Sequence, residues 1–262
     1  MRSIMKTIIF FDVDNTIYSN QDNVIPPQTK RLLTELAAKP DVFLGLATGR
    51  GTGKLHIISD VLHLFTYRVL VNGAVVFKDD QLVFEQPIAQ ADIEQILTLT
   101  QDKGFNIGMV GLDEEAVNYW DERVSYGMEL LRGVSPVVDP QFHHKNKVYQ
   151  IWLFTEDEDE INAVTSRLPR FKAYPWHKAG VDFLDGDMNK AFGIRQALAD
   201  EQDYRLICIG DGANDIQMIE MADIGIAMSN SRFAELKEKA DHLAPHVRDD
   251  RLYDFFKQLR LL

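Results

Sequence analysis

Two aspartates two positions apart, Asp12 and Asp14, directly follow a short apolar segment near the start of the chain. The segment, Ile8–Phe11, is rich in β-branched and aromatic side chains, which is typical of a buried strand. One strand therefore delivers two carboxylates into the loop that follows it. Because burying two unpaired negative charges side by side is costly, we expect a cation there. Mg²⁺ is the usual hard cation for such oxygen ligands.

The same loop has a plainer interpretation, in which Asn15 or Thr16 simply caps a helix. Later segments favour the chemical interpretation. Val42–Ala47 is a second apolar stretch, and it ends in Thr48 and Gly49. A hydroxyl beside an unobstructed backbone N–H can hold a phosphate.

A third apolar stretch, Leu206–Ile209, runs into the polar stretch Gly210–Asp215, which supplies a further pair of acids, Asp211 and Asp215. The glycines of this stretch let the backbone approach an ion closely. Lys190 opens a predicted helix and would lie between these loops. The three strand ends and the lysine together predict a site for an anionic group and a metal ion.

These candidate residues are placed by a regular alternation of strand-like and helix-like segments. Such an alternation indicates right-handed crossovers and a parallel sheet covered on both faces, that is, a doubly wound α/β fold. Ligands of such sheets bind beyond the carboxyl ends of the strands, where Asp12, Thr48 and Asp211 all fall. The predicted strands are Thr7–Phe11, Val42–Ala47, Arg68–Val71, Arg205–Ile209 and Ile224–Met228, and the predicted helices are Pro27–Lys39, Lys54–Leu64, Lys190–Leu198, Asn214–Ala222 and Phe233–Ala240.

The middle of the chain breaks this alternation and is predicted to be an inserted α+β domain covering residues 81–180. The surrounding core domain then consists of residues 1–80 and 181–262. Strands are predicted at Gln81–Gln86, Phe105–Val110, Lys147–Phe154 and Phe171–Trp176, with helices at Ala91–Lys103 and Asp157–Leu168 and a helical stretch through Leu131. We interpret the acidic run at residues 156–160 as the solvated first turn of a helix, which the helix dipole favours, and not as a metal site.

The composition argues against several classes of partner. The 262 residues carry a net charge of −12, whereas nucleic-acid and anionic-membrane surfaces favour a basic face. Neither partner is therefore expected. The single cysteine, Cys208, lies in an apolar run and is predicted to be a core residue. No stretch has the length of a membrane span, and the first residues lack the apolar region of a signal peptide. We expect a cytoplasmic protein that is a monomer or a weak homodimer.

Taken together, the four segments resemble the motifs of the haloacid dehalogenase-like (HAD) hydrolase superfamily. Asp12–Thr16 is similar to its first motif, Thr48–Arg50 to its second, Lys190 to its third and Gly210–Asp215 to its fourth. The insertion between the second and third motifs resembles that of the Cof-type branch, which has a type IIB cap. The resemblance implies a Rossmann-like core with an inserted cap that selects the substrate.

The resemblance also implies an activity, which is Mg²⁺-dependent hydrolysis of small phosphorylated metabolites through an aspartyl-phosphate. Sugar phosphates, nucleotides and cofactor phosphates are the expected substrate classes. Asp12 would be the nucleophile and Asp14 the general acid and base. The Mg²⁺ ligands would be Asp12, Asp211 and the backbone carbonyl of Asp14.

Further roles follow from the same resemblance. Asp215 would act through another group, by orienting Lys190 or a metal-bound water. Asn15 stands where this branch often has Gly, and we expect it to tolerate a left-handed backbone. The residues expected to bind the phosphoryl oxygens are Thr48, Gly49, Lys190 and Asn214.

The inserted domain offers weaker candidates. Trp176, His177 and Lys178 could contact the substrate, or they could form an ordinary strand end with a half-buried Trp, and both interpretations stay open. The histidines of this domain, His143, His144 and His177, could suggest a transition metal, but they lack ligand spacing in the sequence. We therefore interpret them as surface or pocket-lining residues.

Several rival activities fail at specific positions. Residues 50–55 look like a Walker loop, but Thr48 stands in the place of its first Gly and Leu55 in the place of its Ser or Thr. Residues 210–215 follow a strand as a dinucleotide fingerprint would, but Asp215 replaces the last glycine. A dehalogenase proper is disfavoured because carbon–halogen cleavage does not need the acid at Asp14.

Two alternatives to a phosphatase remain. One is a sugar phosphomutase-like phosphotransferase, for which Arg123 and Arg132 are the available candidates to bind a second phosphate. The other is a catalytically idle regulator that binds a phosphorylated ligand. The sequence speaks against the second alternative, since none of the positions expected to be catalytic is lost.

Overall fold

The structure of the chain is a computed structural model that describes residues 5–131, 135–155, 157–177 and 180–262, without the side chains of residues 130, 131, 176 and 177. It contains two compact units. The first unit consists of Met1–Gly49, Leu55–Phe84 and Lys190–Leu262, and the second of Arg50–Lys54 and Glu85–Asn189.

The elements of the described residues are as follows. The strands are β1 Lys6–Phe11, β2 Val42–Ala47, β3 Phe65–Leu70, β4 Val75–Lys78, β5 Gln81–Glu85, β6 Ile107–Val110, β7 Glu115–Val117, β8 Val137–Val138, β9 Gln150–Leu153, β10 Phe171–His177, β11 Gly180–Asp185, β12 Tyr204–Gly210, β13 Ile224–Met228 and β14 His242–Ala244. The α-helices are α1 Pro27–Ala37, α2 Gln90–Lys103, α3 Glu122–Leu131, α4 Phe142–Lys145, α5 Glu158–Thr165, α6 Lys190–Ala197, α7 Ile216–Met221, α8 Ala234–Lys239 and α9 Leu252–Gln258. Short 3₁₀ turns lie at Thr52–Ile58, Leu62–Leu64, Val71–Gly73, Ala213–Asp215 and Val247–Asp249.

The first unit is built around β1, which lies inside an eight-stranded sheet of order β14-β13-β12-β1-β2-β3-β4-β5. β1 pairs in parallel with β12 and with β2, so that Phe11 lies opposite Ile209 on one side and Leu46 on the other. The last four residues of β1 are fully buried, as a central strand with both faces covered requires. The predicted doubly wound parallel sheet is confirmed, and the loops after β1, β2 and β12 leave it side by side.

The second unit is a six-stranded sheet of order β10-β11-β9-β6-β7-β8, largely antiparallel and packed against helices. Its core combines Ile96 of α2 and Val164 of α5 with Ile107, Ile151 and Phe183 of the strands. All five side chains are fully buried. The predicted inserted α+β block is therefore confirmed as a unit with its own hydrophobic core.

The limits of the two units differ from those predicted at 80/81 and 180/181. β5 stays in the first sheet, because Asp79 and Asp80 form a two-residue connection to β4 with φ of 48° and 63°. β11 stays in the second sheet, where it pairs antiparallel with β10 and places Phe183 opposite Ala173. The units therefore divide after Phe84 and after residue 189.

Other local predictions had mixed outcomes. The segment predicted as a helix over residues 54–64 forms short 3₁₀ turns. The first-turn interpretation of the acidic run is confirmed for residues 157–160, since the Asp157 side chain accepts the backbone N–H groups of Asp159 and Glu160 at 2.8 and 3.1 Å. Cys208 is buried, as predicted. Among the described residues, no helix combines the length and apolar character that a membrane crossing needs.

Candidate active site

Three loops of the first unit bring their polar residues to one edge of the parallel sheet. Asp12 follows β1, and its backbone N–H donates to the carbonyl of Ile209 in β12 at 2.9 Å. Thr48 follows β2, and its N–H donates to the carbonyl of Val69 in β3 at 2.9 Å. Both side chains are buried. The parallel ladder thus continues into the loops and fixes where Asp12 and Thr48 begin.

Lys190 joins two of these loops. Its Nζ donates to Asp12 Oδ1 and to Asp215 Oδ1, each at 2.6 Å, and only 1% of the residue is exposed. The helix that carries Lys190 lies very close to the sheet, because a Cβ on Gly193 would come within 2.4 Å of the Val69 side chain. Such short charge-assisted bonds in a buried site hold the ammonium in one position.

Asp215 fixes the loop after β12. Its Oδ2 accepts the backbone N–H groups of Asp211 and Gly212 at 3.0 and 2.8 Å, while Oδ1 accepts from Lys190. Gly210 leaves room for this turn, since a Cβ there would lie 2.4 Å from Asp215 Cγ. Both oxygens of Asp215 are therefore engaged with protein donors, and its position is set by the backbone it holds.

The loop after β1 turns sharply at Asn15. This residue has φ of 56°, in the left-handed region that Asn tolerates, and its N–H donates to the Tyr18 carbonyl at 2.7 Å. Asp14 precedes the turn and is partly exposed, whereas Asp12 is 4% exposed. The two carboxylates of this loop thus have different environments, since Asp12 is buried and Asp14 is partly exposed.

Asn214 and Gly49 meet at a residue that the sequence analysis did not assign to the site, Asn72. The Asn214 Nδ2 donates to Asn72 Oδ1 at 2.8 Å, and the Asn72 backbone N–H donates to the Thr48 carbonyl at 3.0 Å. A Cβ on Gly49 would lie 3.2 Å from Asn72 Nδ2. Asn72 is buried, has φ of 52°, and connects the second motif with the fourth.

Asn230 is a second residue that the sequence analysis missed. Its Nδ2 donates to the Asn15 carbonyl at 2.9 Å and to Asp211 Oδ2 at 3.3 Å, and its Oδ1 accepts the Val247 N–H at 2.9 Å. The sequence does contain a sign that Asn230 belongs to the site, because Asn230 follows the apolar strand β13 as Asp12 follows β1. A single amide two residues beyond a strand end, with no acid paired with it, does not by itself predict a functional residue.

The acids of the site are held near one another against their own repulsion. Burial raises the pKa of Asp12 to about 7, with Asp215 and Asp14 adding to the effect and Lys190 opposing it. Burial and the neighbouring carboxylates also raise the pKa of Asp211 well above its ordinary value. Burial alone would lower the pKa of Lys190, but Asp12 and Asp215 raise it above the usual range. The site has more negative charge than its one buried ammonium can balance.

This charge excess fits a divalent cation. Asp12, Asp211 and Asp215 each offer a carboxylate oxygen, and the three oxygens lie within 4.8 Å of one another. Because Asp215 is engaged with Lys190 and two backbone N–H groups, Asp12 and Asp211 are the better placed ligands. Carboxylate oxygens at this spacing suit a hard cation such as Mg²⁺.

The candidates of the inserted unit are placed only in part. Trp176 and His177 lie at the end of β10, with their side chains outside the description, and Lys178 lies outside the described residues. Arg123 donates two hydrogen bonds to the Glu160 carboxylate, at 3.0 and 3.1 Å. This pairing makes Arg123 a poorer candidate for binding a second phosphate. Arg132 lies outside the described residues.

Comparisons with known proteins agree with the geometry. A model of a family described as haloacid dehalogenase-like hydrolase matches residues 9–256, a span that contains all four motifs. The Bacillus subtilis strain 168 protein named "Putative phosphatase YkrA" is 30% identical over 261 residues, which cover 97% of this chain and 98% of YkrA. The 5-amino-6-(5-phospho-D-ribitylamino)uracil phosphatase YitU of the same strain is 25% identical over 271 residues, with 96% of each chain covered.

A solved structure supports the same fold. The HAD subclass IIB sugar phosphatase BT4131 matches with a TM-score of 0.85 and covers 98% of this chain and 100% of its own. The two sequences are 24% identical, so this likeness concerns the fold of the polypeptide. The arrangement of a doubly wound sheet with an inserted α+β unit is therefore shared with that protein.

Proposed function

This chain belongs to the haloacid dehalogenase-like hydrolase family and is a phosphatase, and we propose that it hydrolyses small phosphorylated metabolites with Mg²⁺ through an aspartyl-phosphate. The observation that carries the proposal is the contact of Lys190 with Asp12 and Asp215 at the ends of adjacent parallel strands. This contact fixes one carboxylate oxygen of Asp12 beside a buried positive charge, where a phosphoryl group could be received.

The proposed reaction has two in-line transfers. In the first, Asp12 Oδ2 forms a bond to phosphorus while the ester P–O bond breaks, and Asp14 gives its proton to the leaving oxygen. In the second, a water molecule attacks the aspartyl-phosphate and gives a proton to Asp14. Inorganic phosphate leaves, and the Asp12 carboxylate is restored. The buried position of Asp12 and the more open position of Asp14 suit these two roles.

The residues proposed to hold the transferring phosphoryl group are Thr48, Gly49, Lys190 and Asn214, which offer a hydroxyl, a backbone N–H, an ammonium and an amide. We propose that Asn72 positions two of them, because it contacts Asn214 and lies against Gly49. Mg²⁺, when held by Asp12, Asp211 and the backbone carbonyl of Asp14, would neutralise charge on the phosphoryl oxygens.

The second unit is proposed to select the substrate, with Trp176, His177 and Lys178 as candidate contacts. Sugar phosphates, nucleotides and cofactor phosphates remain the proposed classes. A phosphorylated ribityl compound of the kind named for YitU belongs in the test panel. A phosphomutase is a weaker proposal because Arg123 is engaged by Glu160. We also propose that the protein is a cytoplasmic monomer or weak homodimer.

The experiment is a measurement of phosphate release from a panel of phosphorylated sugars, nucleotides and cofactors. EDTA should abolish release and added Mg²⁺ should restore it. Asp12→Asn should lose turnover with an unchanged circular dichroism spectrum, while the exposed Asp200→Asn serves as the control and should keep it. Full activity in metal-stripped protein, or substantial activity of Asp12→Asn, would overturn the proposal.

A further inference from the structure

His143 is a buried histidine of the second unit, and its ring nitrogens make no hydrogen bond within the described part of the chain. Only 8% of the residue is exposed, and neither Nδ1 nor Nε2 has a hydrogen-bond partner among the described residues. A buried polar group without a partner costs free energy, so such groups are uncommon in folded proteins. Of the two predicted settings of His143, the surface and the lining of a pocket, its burial excludes the surface, and the reason for burying its ring has to be sought in its neighbours.

The neighbours of His143 include two further metal-ligand side chains. The ring of His144 lies 4.1 Å from that of His143, measured between centroids. Glu94, on α2, completes a group in which one donor atom of each residue lies within 4.8 Å of the other two. The sequence spacing hid this group, because α2 and α4 are far apart along the chain.

Glu94 and His144 already contact the same side-chain amide, that of Gln90. Gln90 Nε2 lies 3.1 Å from Glu94 Oε1 and 2.6 Å from His144 Nδ1. A carboxylate oxygen of Glu94 and a ring nitrogen of His144 therefore point toward the same position, which the side-chain NH₂ group of Gln90 now occupies. Gln90 and Glu94 are four residues apart on α2, so they share a helix face. A cation at that place would replace a weak shared donor with a stronger one.

We propose that Glu94, His143 and His144 bind one divalent transition-metal ion of the zinc class. The site lies within the second unit and is separate from the aspartates of the first. Three protein ligands and a water molecule would complete a tetrahedral shell.

The donor set selects this class of metal. Imidazole nitrogen suits Zn²⁺ and its first-row neighbours, whereas Mg²⁺ prefers oxygen ligands alone. In a tetrahedral zinc site with bonds of about 2.0–2.1 Å, neighbouring donors are about 3.3 Å apart. The three donor atoms now lie within 4.8 Å of one another, and the side chains that would rotate to bring them closer, Glu94 and His144, are both exposed.

The backbone that presents the two histidines is fixed. Phe142, the first residue of α4, is 2% exposed and belongs to the core of the second unit. Its N–H donates to the Asp139 carbonyl at 3.2 Å, and its carbonyl accepts the Asn146 N–H at 3.0 Å. A short helix held in this way can present His143 and His144 to α2 without further ordering. The bound ion would then fasten α4 to α2.

The test is zinc binding to the full-length protein in the presence of millimolar Mg²⁺, which occupies the hard carboxylate site. Competition with a chromophoric chelator should give one tightly bound Zn²⁺ per chain, and X-ray absorption should show two imidazole ligands. His144→Ala and Glu94→Gln, both at exposed positions, should each weaken binding by about 10-fold or more. Zn²⁺ should also raise the Tm of the parent protein more than that of these variants.

Matched controls decide whether the effect belongs to this site. His63→Ala removes an exposed histidine of the first unit, and Asp102→Asn removes an exposed acid from the same helix as Glu94. Both should bind Zn²⁺ as the parent does. Absence of stoichiometric binding in the parent, or unchanged affinity in both His144→Ala and Glu94→Gln, would overturn the proposal. His143→Ala should lose binding too, and the two exposed variants keep the test valid if it folds poorly.

Discussion

The two units of this molecule each gather ionisable side chains, but they satisfy them differently. In the first unit, the strand-end cluster of Asp12, Lys190 and Asp215 is joined by two bonds of 2.6 Å. In the second unit, the helix-pair cluster consists of Glu94, His143 and His144, and within the described part of the chain neither ring nitrogen of the buried His143 has a hydrogen-bond partner. The first cluster combines a fixed ammonium with excess carboxylate, which suits a hard cation and a phosphoryl group. The second offers imidazoles, which suit a softer ion.

The largest expected effect is the removal of the ammonium. Lys190→Met leaves Asp12 and Asp215 buried without their cation, and breaking such a buried pair typically costs about 3–5 kcal/mol. Activity should be lost for all substrates alike, because Lys190 is proposed to bind the phosphoryl group that they share. Urea unfolding measures the stability. Lys172→Met, which removes an exposed pair with Asp187 in the second unit, is the control and should change little.

The next effect separates stability from function inside the strand-end cluster. Asp211→Asn removes one of the crowded carboxylates, so the metal-free protein should become more stable by about 1 kcal/mol. The same change removes a proposed metal ligand and should reduce Mg²⁺-dependent phosphate release by about 100-fold. Thermal unfolding in EDTA and activity titrations with Mg²⁺ measure the two quantities. A variant that is less stable and fully active would show that Asp211 is an ordinary loop residue.

A smaller effect concerns pH. The pKa of Asp12 is raised to about 7 in the folded protein, so the folded state holds this proton more tightly than the unfolded chain does. The stability of the metal-free protein should therefore fall as pH rises from about 4 to about 7. Mg²⁺ should raise the Tm more at pH 8 than at pH 5.5, because it compensates the ionised carboxylate. Asp12→Asn should lose the Asp12 contribution to this slope, and an identical slope would contradict the assignment.

The smallest expected effect lies in substrate choice. His177→Ala and Lys178→Ala should change the ratios of kcat/KM among sugar, nucleotide and cofactor phosphates by a few-fold, while the Mg²⁺ dependence stays the same. The reason is that the second unit is proposed to contact the leaving group and not the phosphoryl group. A substrate profile beside the parent measures the ratios. Unchanged ratios would mean that this strand end is ordinary surface.

The sequence predicted the first unit better than the second for a physical reason. Apolar strands that end in paired polar residues, such as β1 before Asp12, carry their signal within a few neighbouring positions. Asn72 and Asn230 are single polar residues without a paired acid nearby in the sequence, and their role depends on contacts across loops. The same rule of strand ends could have found Asn230, which follows β13.

In the second unit the informative contacts are remote in sequence. β7 and β8 are three and two residues long, too short for a periodic pattern. β11 begins close after β10 ends, and the boundary predicted from the sequence at 180/181 places nearly all of β11 in the core domain. The contact of Gln90 with His144 spans 54 positions, so no local pattern could have indicated it. The chemistry of such a cluster becomes visible only when the helices that carry it are placed.

The central claim is that Asp12 forms a covalent phosphoenzyme. The most direct measurement uses Asp14→Asn, which should transfer the phosphoryl group from an activated ester but hydrolyse the intermediate slowly. Acid quenching and peptide mass spectrometry should then find the phosphate on the peptide that contains Asp12. The double variant Asp12→Asn/Asp14→Asn should carry none. Phosphate on another residue, or turnover by Asp14→Asn with no phosphopeptide under single-turnover conditions, would contradict the account.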